Sequence, residues 1–239
     1  RVALAMGHED WPSLIAQLDE VRERVRQHFD AVIADPEEDA EEQQSEAGLA
    51  QWRLLWRGEL EEGEALALLS DAGFQSSERA LKRVQSLSSS RAVQSMQRIG
   101  FERLDALMPL LLSAVAESDM PDTALARVQP LIEAVLRRTA YLALLRENPQ
   151  ALEHLMRLCS ASPWIAEQLA RYPILLDELL TPDTLYTPAD KARLGDELRQ
   201  TLNRIPEDDE EAQLEALRVF KHAQMLHVAA SDIAGTRHL

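Results

Sequence analysis

Leucine and alanine dominate this sequence, and that constrains its fold more than any motif does. Its 39 Leu and 33 Ala stand against 26 Val, Ile and Thr together. Leu and Ala lose little on entering a helix, whereas β-branched residues are the ones strands favour. Only 8 of the 239 residues are Gly, well under the usual share of roughly 7%. Such a chain predicts an all-α fold: a multi-helix bundle of about ten helices with no sheet. Its length allows one or two domains and suffices for a real core.

The net charge of −16 excludes classes of partner. Nucleic-acid binding needs a basic footprint that displaces counterions from phosphates, and none is present. The same balance argues against an anionic membrane surface. The longest nearly apolar run, Leu107–Ala116, is far short of the ~20 residues that span a bilayer. No basic region followed by an apolar stretch opens the chain, so no signal peptide is expected. The first residue is Arg1 rather than Met, which reads as a piece of something longer. The single cysteine, Cys159, has no partner for an internal disulfide and fits a reducing, cytoplasmic setting.

Periodicity divides the chain into three parts: 1–34, an acidic linker over 35–47, and a helical region over 48–239. In the first part, Leu14, Leu18, Val21, Val25, Phe29 and Val32 share one face of a helix over about 10–34. The linker lies in a stretch with eight acids and no Lys or Arg between Gln27 and Trp52, a solvated run by its charge. Beyond it, Leu49, Trp52, Leu55 and Trp56 form one stripe. A helix over Leu60–Ser70 should leave through Gly73 in the left-handed region. Another should open at Ser76 or Ser77 and break at Ser88-Ser89-Ser90. A long helix is predicted from Arg91 to about Ser118, bent near Gly100 and Pro109. Asn148-Pro149, Ser162-Pro163 and Thr187-Pro188 each place a capping side chain before Pro at a first helical position, with Asp190 completing a capping box. These signals predict helices near 123–146, with Pro130 kinking or resetting it, then 149–160, 163–170, 173–180 and 188–204. The last helix opens on Glu207-Asp208-Asp209-Glu210-Glu211, acids that suit a positive helix start. Apolar residues from Leu214 to Ile233 lie all round it, which predicts deep burial.

No chemical motif stands out. Phosphate loops need glycines so that backbone N–H groups can approach the ligand, and neither G-x-G-x-x-G nor G-x-x-x-x-G-K-[ST] occurs. His8, His28, His154, His222, His227 and His238 are scattered. His222 and His227, five apart, fall on different faces of a helix, as do His154 and Cys159. Each reads as a packing or surface residue rather than a zinc ligand, and Cys159 as a small apolar group. Asp208-Asp209-Glu210-Glu211 imitates the aspartate-rich Mg²⁺ run of helical isoprenoid synthases, but no second run faces it. Trp52, Trp56, Trp164 and Tyr172 read as core or helix-docking surface. No catalytic, cofactor-binding or metal residue is assigned on this chain.

Two passages nevertheless carry a resemblance. Asn148-Pro149-Gln150-Ala151-Leu152, Ser162-Pro163-Trp164-Ile165-Ala166, Leu169-Ala170-Arg171-Tyr172-Pro173 and Leu175-Leu176-Asp177 follow in order. Leu217-Arg218-Val219-Phe220-Lys221 then leads to Ala229-Ala230-Ser231-Asp232-Ile233-Ala234-Gly235. The first passage resembles a stretch of glutamine synthetase adenylyltransferases that lies between their two nucleotidyltransferase halves, and the second resembles the helix that leads into the adenylyltransferase core of that family. Leu4-Ala5-Met6-Gly7, with Trp11 and the helix to Phe29, resembles the end of the first, adenylyl-removing half. The resemblance implies a two-headed enzyme: one half moves AMP from ATP to a tyrosine of glutamine synthetase, the other removes it by phosphorolysis. It implies Mg²⁺ and ATP as that enzyme's cofactors, glutamine synthetase and the PII signalling protein as partners, and flanking catalytic halves on the same chain. The family's catalytic signature, a Gly-Ser turn before paired aspartates, is missing here. The chain is thus expected to be a catalytically silent helical connector and regulatory region. The alternative is an independent helical adaptor that docks other proteins through Trp52 and Trp56.

Overall fold

Every element described here is helical, in agreement with the composition. The computed structural model describes residues 48–206 and 208–235. The expected helix over 10–34, the acidic linker, Glu207, His8, His28 and His238 lie outside the described residues. In chain order the helices are α1 (48–57), α2 (Glu62–Asp71), α3 (Ser77–Ser88), α4 (Arg91–Gln94), α5 (Arg98–Ala116), α6 (Pro121–Val135), α7 (Thr139–Glu147), α8 (Pro149–Ala161) and α9 (Pro163–Arg171). A 3₁₀ segment (Pro173–Leu180), α10 (Pro182–Leu185), α11 (Lys191–Leu202) and α12 (Glu210–Ala234) complete the order.

The core is built on α5 and α6. Leu104, Leu107, Met108, Leu111, Leu112 and Val115 recur every three or four residues along α5 and are fully enclosed. Val128, Leu131, Ile132 and Val135 do the same on α6. α5 packs on α7, and α6 packs on α9 and α8. Polar ties fix the helix ends to this core. Asp122, in the first turn of α6, accepts from the backbone N–H groups of Gln75 (2.7 Å) and Ser76 (3.3 Å), so one carboxylate satisfies donors at the start of α3. Arg127 on α6 donates to the carbonyls of Cys159 and Ser160, where α8 ends and its dipole is negative. Arg57 grips Asp105 through two nitrogens, joining α1 to α5.

Several boundaries depart from the periodicity. Gly73 takes φ 86° as expected, and Phe74 N–H returns to Leu69 O. The long helix from Arg91, however, is interrupted at 95–97, and neither Gly100 nor Pro109 interrupts α5. Gly100 serves a close approach instead, because a Cβ there would meet Thr139 Cγ2 at 2.9 Å. Pro130 sits inside an unbroken α6, and the break falls at 136–138. The expected helix 188–204 starts three residues late. Asp190 is its N-cap, accepting from Arg193 N–H at 2.8 Å, while α10 opens at Thr181-Pro182 with Pro182 in its first turn and no cap from the Thr181 side chain. Ser162 caps α9 through Ile165 N–H. Asn148 lacks that role, since its Nδ2 donates backwards to Leu144 O.

The largest departure concerns the last helix. Only Ala223, Leu226, His227, Ala230 and Ser231 of α12 are buried. Leu214 is 56% exposed, and Leu217, Met225 and Val228 are exposed as well. The deep burial predicted for α12 therefore holds for one side of its second half alone. Apolar residues all round a helix require cover on every side, and the described residues cover one.

Candidate functional site

α11 is the most exposed of the helices described, and it packs on α12. None of the residues of α11 is buried. Its Leu194, Leu198 and Leu202 are half-buried at i, i+4 and i+8, enough to hold it against α12. Two ion pairs brace it, Arg193–Glu197 (2.8 Å) on the side that faces α12 and the exposed Arg199–Asp196 (2.6 Å), each worth about 0.3–0.5 kcal/mol. Two apolar depressions border the contact between α11 and α12.

The first is a cleft of about 680 Å³ between α10, α11 and α12, floored by Val219, Phe220 and Ala223. At its edge His227 Nε2 donates to Glu178 Oε2 over 2.8 Å, a carboxylate being able only to accept. This pair links α12 to the 3₁₀ segment and keeps the buried imidazole satisfied. Next to it, burial and the neighbouring Glu178 push the Asp177 carboxyl above its ordinary value.

The second is a groove of about 710 Å³ that runs along α12 from Leu217 to Asp232, walled by Trp164 of α9 and Leu198 of α11. Leu214, Leu217, Lys221, Met225 and Val228 are spaced by three or four and share one face. That face is opposite the buried residues Ala223, Leu226 and Ala230. α12 thus has a core side and an uncovered apolar side.

Of the described tryptophans and histidines, Tyr172 and Cys159, all singled out by sequence, one lies at this face. Trp52 and Trp56 are buried at 6% and 2% exposure, so the docking stripe expected of them in the adaptor alternative is core. Their helical spacing fits either role; burial decides it. Trp164 is the exception, half-buried and at the wall of the groove. Tyr172 stacks on His222 at 4.0 Å between ring centres. His154 Nδ1 and Tyr186 Oη share a hydrogen bond of 2.9 Å, and burial pushes the Tyr186 hydroxyl upward. All three described histidines are thus packing residues. Cys159 is fully enclosed, and burial pushes its thiol up to about 12 against the opposing pull of Arg127.

At the acidic head of α12 one carboxylate is engaged by the backbone. Asp209 Oδ1 accepts from Ala212 N–H at 3.0 Å as a helix cap. Among the described residues no three His, Cys, Asp or Glu side chains converge as metal ligands. Among the same residues no helix is long and apolar enough to cross a membrane.

Comparison with known proteins matches residues 152–239 to the family model described as glutamate-ammonia ligase adenylyltransferase. The matched region starts within α8 and contains every wall of the groove. Over 237 residues, 99% of this chain, the sequence is 52% identical to the bifunctional glutamine synthetase adenylyltransferase/adenylyl-removing enzyme of Pseudomonas aeruginosa, covering 24% of that protein. The same enzyme of Pseudomonas putida is 52% identical over 98% of the chain and 24% of its own length. That of Thioalkalivibrio sulfidiphilus is 46% identical over the same two shares. The chain thus spans about a quarter of the length of the curated relatives that it matches. With its two motif passages and these matches together, the chain belongs to the glutamine synthetase adenylyltransferase family, as a stretch of that length.

Proposed function

We propose that this stretch is a helical connector in a cytoplasmic enzyme that adds AMP to glutamine synthetase and removes it, and that it carries none of that chemistry itself. The observation that supports this most is α12, which closes the core with one side and offers an apolar stripe on the other. A body built this way is suited to being joined. Transfer of a nucleotidyl group draws on carboxylates that hold Mg²⁺ against the phosphates. In this family those come from a Gly-Ser turn with paired aspartates, a signature this sequence lacks. The Mg²⁺ and ATP implied for such an enzyme, and its contacts with glutamine synthetase and PII, belong on this reading to segments that flank the stretch. The contribution of this stretch is mechanical: a well-packed helical body in contact with two catalytic units can favour one competent arrangement over another by a few kcal/mol of differential contact. The direct test is an assay of residues 1–239 with glutamine synthetase, ATP and Mg²⁺, for AMP incorporation, and with adenylylated glutamine synthetase and phosphate, for AMP removal. The expected result is no turnover above the enzyme-free background; turnover in either direction rejects the reading.

A further inference from the structure

We propose that the groove along α12 is the seat of an amphipathic, carboxylate-bearing helix supplied by the part of the family polypeptide that lies outside this chain. The inference rests on the connector reading and names what that connector is joined to.

The shape selects a helix. The uncovered stripe Leu214, Leu217, Lys221, Met225, Val228 steps by three and four residues, which makes it a ridge of the kind against which a second helix packs its own side chains. From Leu217 to Asp232 the groove follows about four helical turns, at 1.5 Å per residue. Trp164 and Leu198 wall it on two sides.

The charges select what kind. Lys221 lies at the middle of the stripe and Asp232 at its end, and neither side chain has an ion-pair partner among the described residues. A second copy of α12 is a poor occupant. Antiparallel pairing about the stripe's centre places Leu214 on Val228 and Leu217 on Met225, which is favourable. It also places Lys221 on Lys221 and Glu210 on Asp232, and like charges directly opposed are penalised. Parallel pairing again opposes Lys221 to itself, and each chain carries a net charge of −16. The complementary occupant has a carboxylate at its middle for Lys221 and a base for Asp232.

The source follows from length. Most of each relative's polypeptide lies outside the matched quarter, and the family match contains all the walls of the groove. A helix on the same polypeptide is held at high effective concentration and needs little intrinsic affinity to stay seated.

The test measures thiol labelling at Val228→Cys, with Gln85→Cys on the exposed side of α3 as the control. Each is placed in residues 1–239 and in the Pseudomonas aeruginosa relative whose matching stretch is replaced by this chain. The expected result is labelling of Val228→Cys slowed at least roughly tenfold in the long protein, with Gln85→Cys unchanged. Adding Lys221→Glu should restore much of the rate, which a merely steric cover would not do. Equal labelling of Val228→Cys in the two contexts overturns the proposal, as does protection that grows with protein concentration, since that marks a second copy. A photo-crosslinker at the position aligned with Met225 in the unmodified relative tests the same seat without an exchange. A crosslink to a distant segment of the same polypeptide supports the seat, whereas a crosslink to glutamine synthetase, to another copy or to nothing rejects it. AMP turnover by residues 1–239 would defeat the connector reading and leave these labelling rates unaffected, so the two failures are distinguishable.

Discussion

α5 and α12 are the two longest helices described, both rich in Leu and Ala, and they meet opposite fates. On α5, Leu104, Leu107, Met108, Leu111, Leu112 and Val115 are enclosed by α6, α7 and α8, and only Ile99 and Phe101 near its start are large apolar residues left exposed. On α12 nothing before Ala223 is buried, and four large apolar side chains face outward. Composition and local periodicity treat these helices alike. What separates them is where the neighbours lie: α12 meets the 3₁₀ segment, α8, α9, α10 and α11, yet the side carrying Leu214, Leu217, Met225 and Val228 stays exposed, and a helix gains the stability of burial only on the sides where another element arrives. The difference marks where the fold is complete in itself and where it is built to receive something.

The sharpest way to break that contrast is at the closed end. Trp56, 2% exposed on α1, should lose about 3–5 kcal/mol on Trp56→Ala, read as a large fall in the urea midpoint at unchanged slope. A neutral result would return Trp56 to the surface role that the adaptor alternative gave it. Next in size is Gly100→Ala. Its new Cβ meets Thr139 Cγ2 at 2.9 Å and Met96 Cε at 3.2 Å. The methionine end can yield, whereas Thr139 is stiff at χ1 and its Oγ1 accepts from Arg103. A loss of about 1–3 kcal/mol is expected. Thr139→Ser removes the offending methyl, keeps the hydroxyl, and should recover most of the loss in a double-mutant cycle.

The same contrast explains what the sequence can and cannot tell. Helix class and most boundaries are legible because caps and spacing are local: Ser162-Pro163, Gly73 and the Leu104–Val115 stripe each act through neighbours a few residues away. The start of α11 is ambiguous in sequence because two Thr-Pro pairs and Asp190 compete within ten residues. Tertiary contact chooses Thr181-Pro182 for α10 and Asp190 for α11. The break at 136–138 has no local signal, and Pro130 supplies a misleading one. For the candidate face, the pattern identifies the apolar residues correctly and their burial wrongly. All-round apolarity says that a helix wants cover; it does not say whether the cover lies on the same stretch of chain. The Glu178–His227 pair, 49 residues apart in sequence, has no pattern to find.

A smaller effect probes the closed region through pH. The Cys159 thiol is pushed from the ordinary value of 9.0 up to about 12, chiefly by burial. The unfolded thiol releases its proton above pH 9 while the folded one keeps it. Stability from this group is therefore whole below pH 9 and is lost as pH rises toward 12, at up to about 1.4 kcal/mol per pH unit. Cys159→Ala should flatten the alkaline fall between pH 9 and 10.5, measured by chemical denaturation. Tyr141 and Tyr186, also raised by burial, contribute equally in both proteins. An unchanged slope would mean that Cys159 meets water.

The smallest expected effect is the most telling for α12. Leu214→Ser removes an apolar side chain that is 56% exposed, at a position where substitutions usually move stability within about 0.5 kcal/mol. Leu217→Ser, at 38% exposure, should cost slightly more, because its inner edge rests at the groove. Denaturation of residues 1–239 carrying both changes should give a midpoint close to the parent's, and the two effects should add, since neither changes a shared buried partner. A combined loss above about 2 kcal/mol, the scale of core leucines, would show that this chain already covers the stripe. The uncovered side of α12 would then be an internal surface, and the contrast with α5 would vanish.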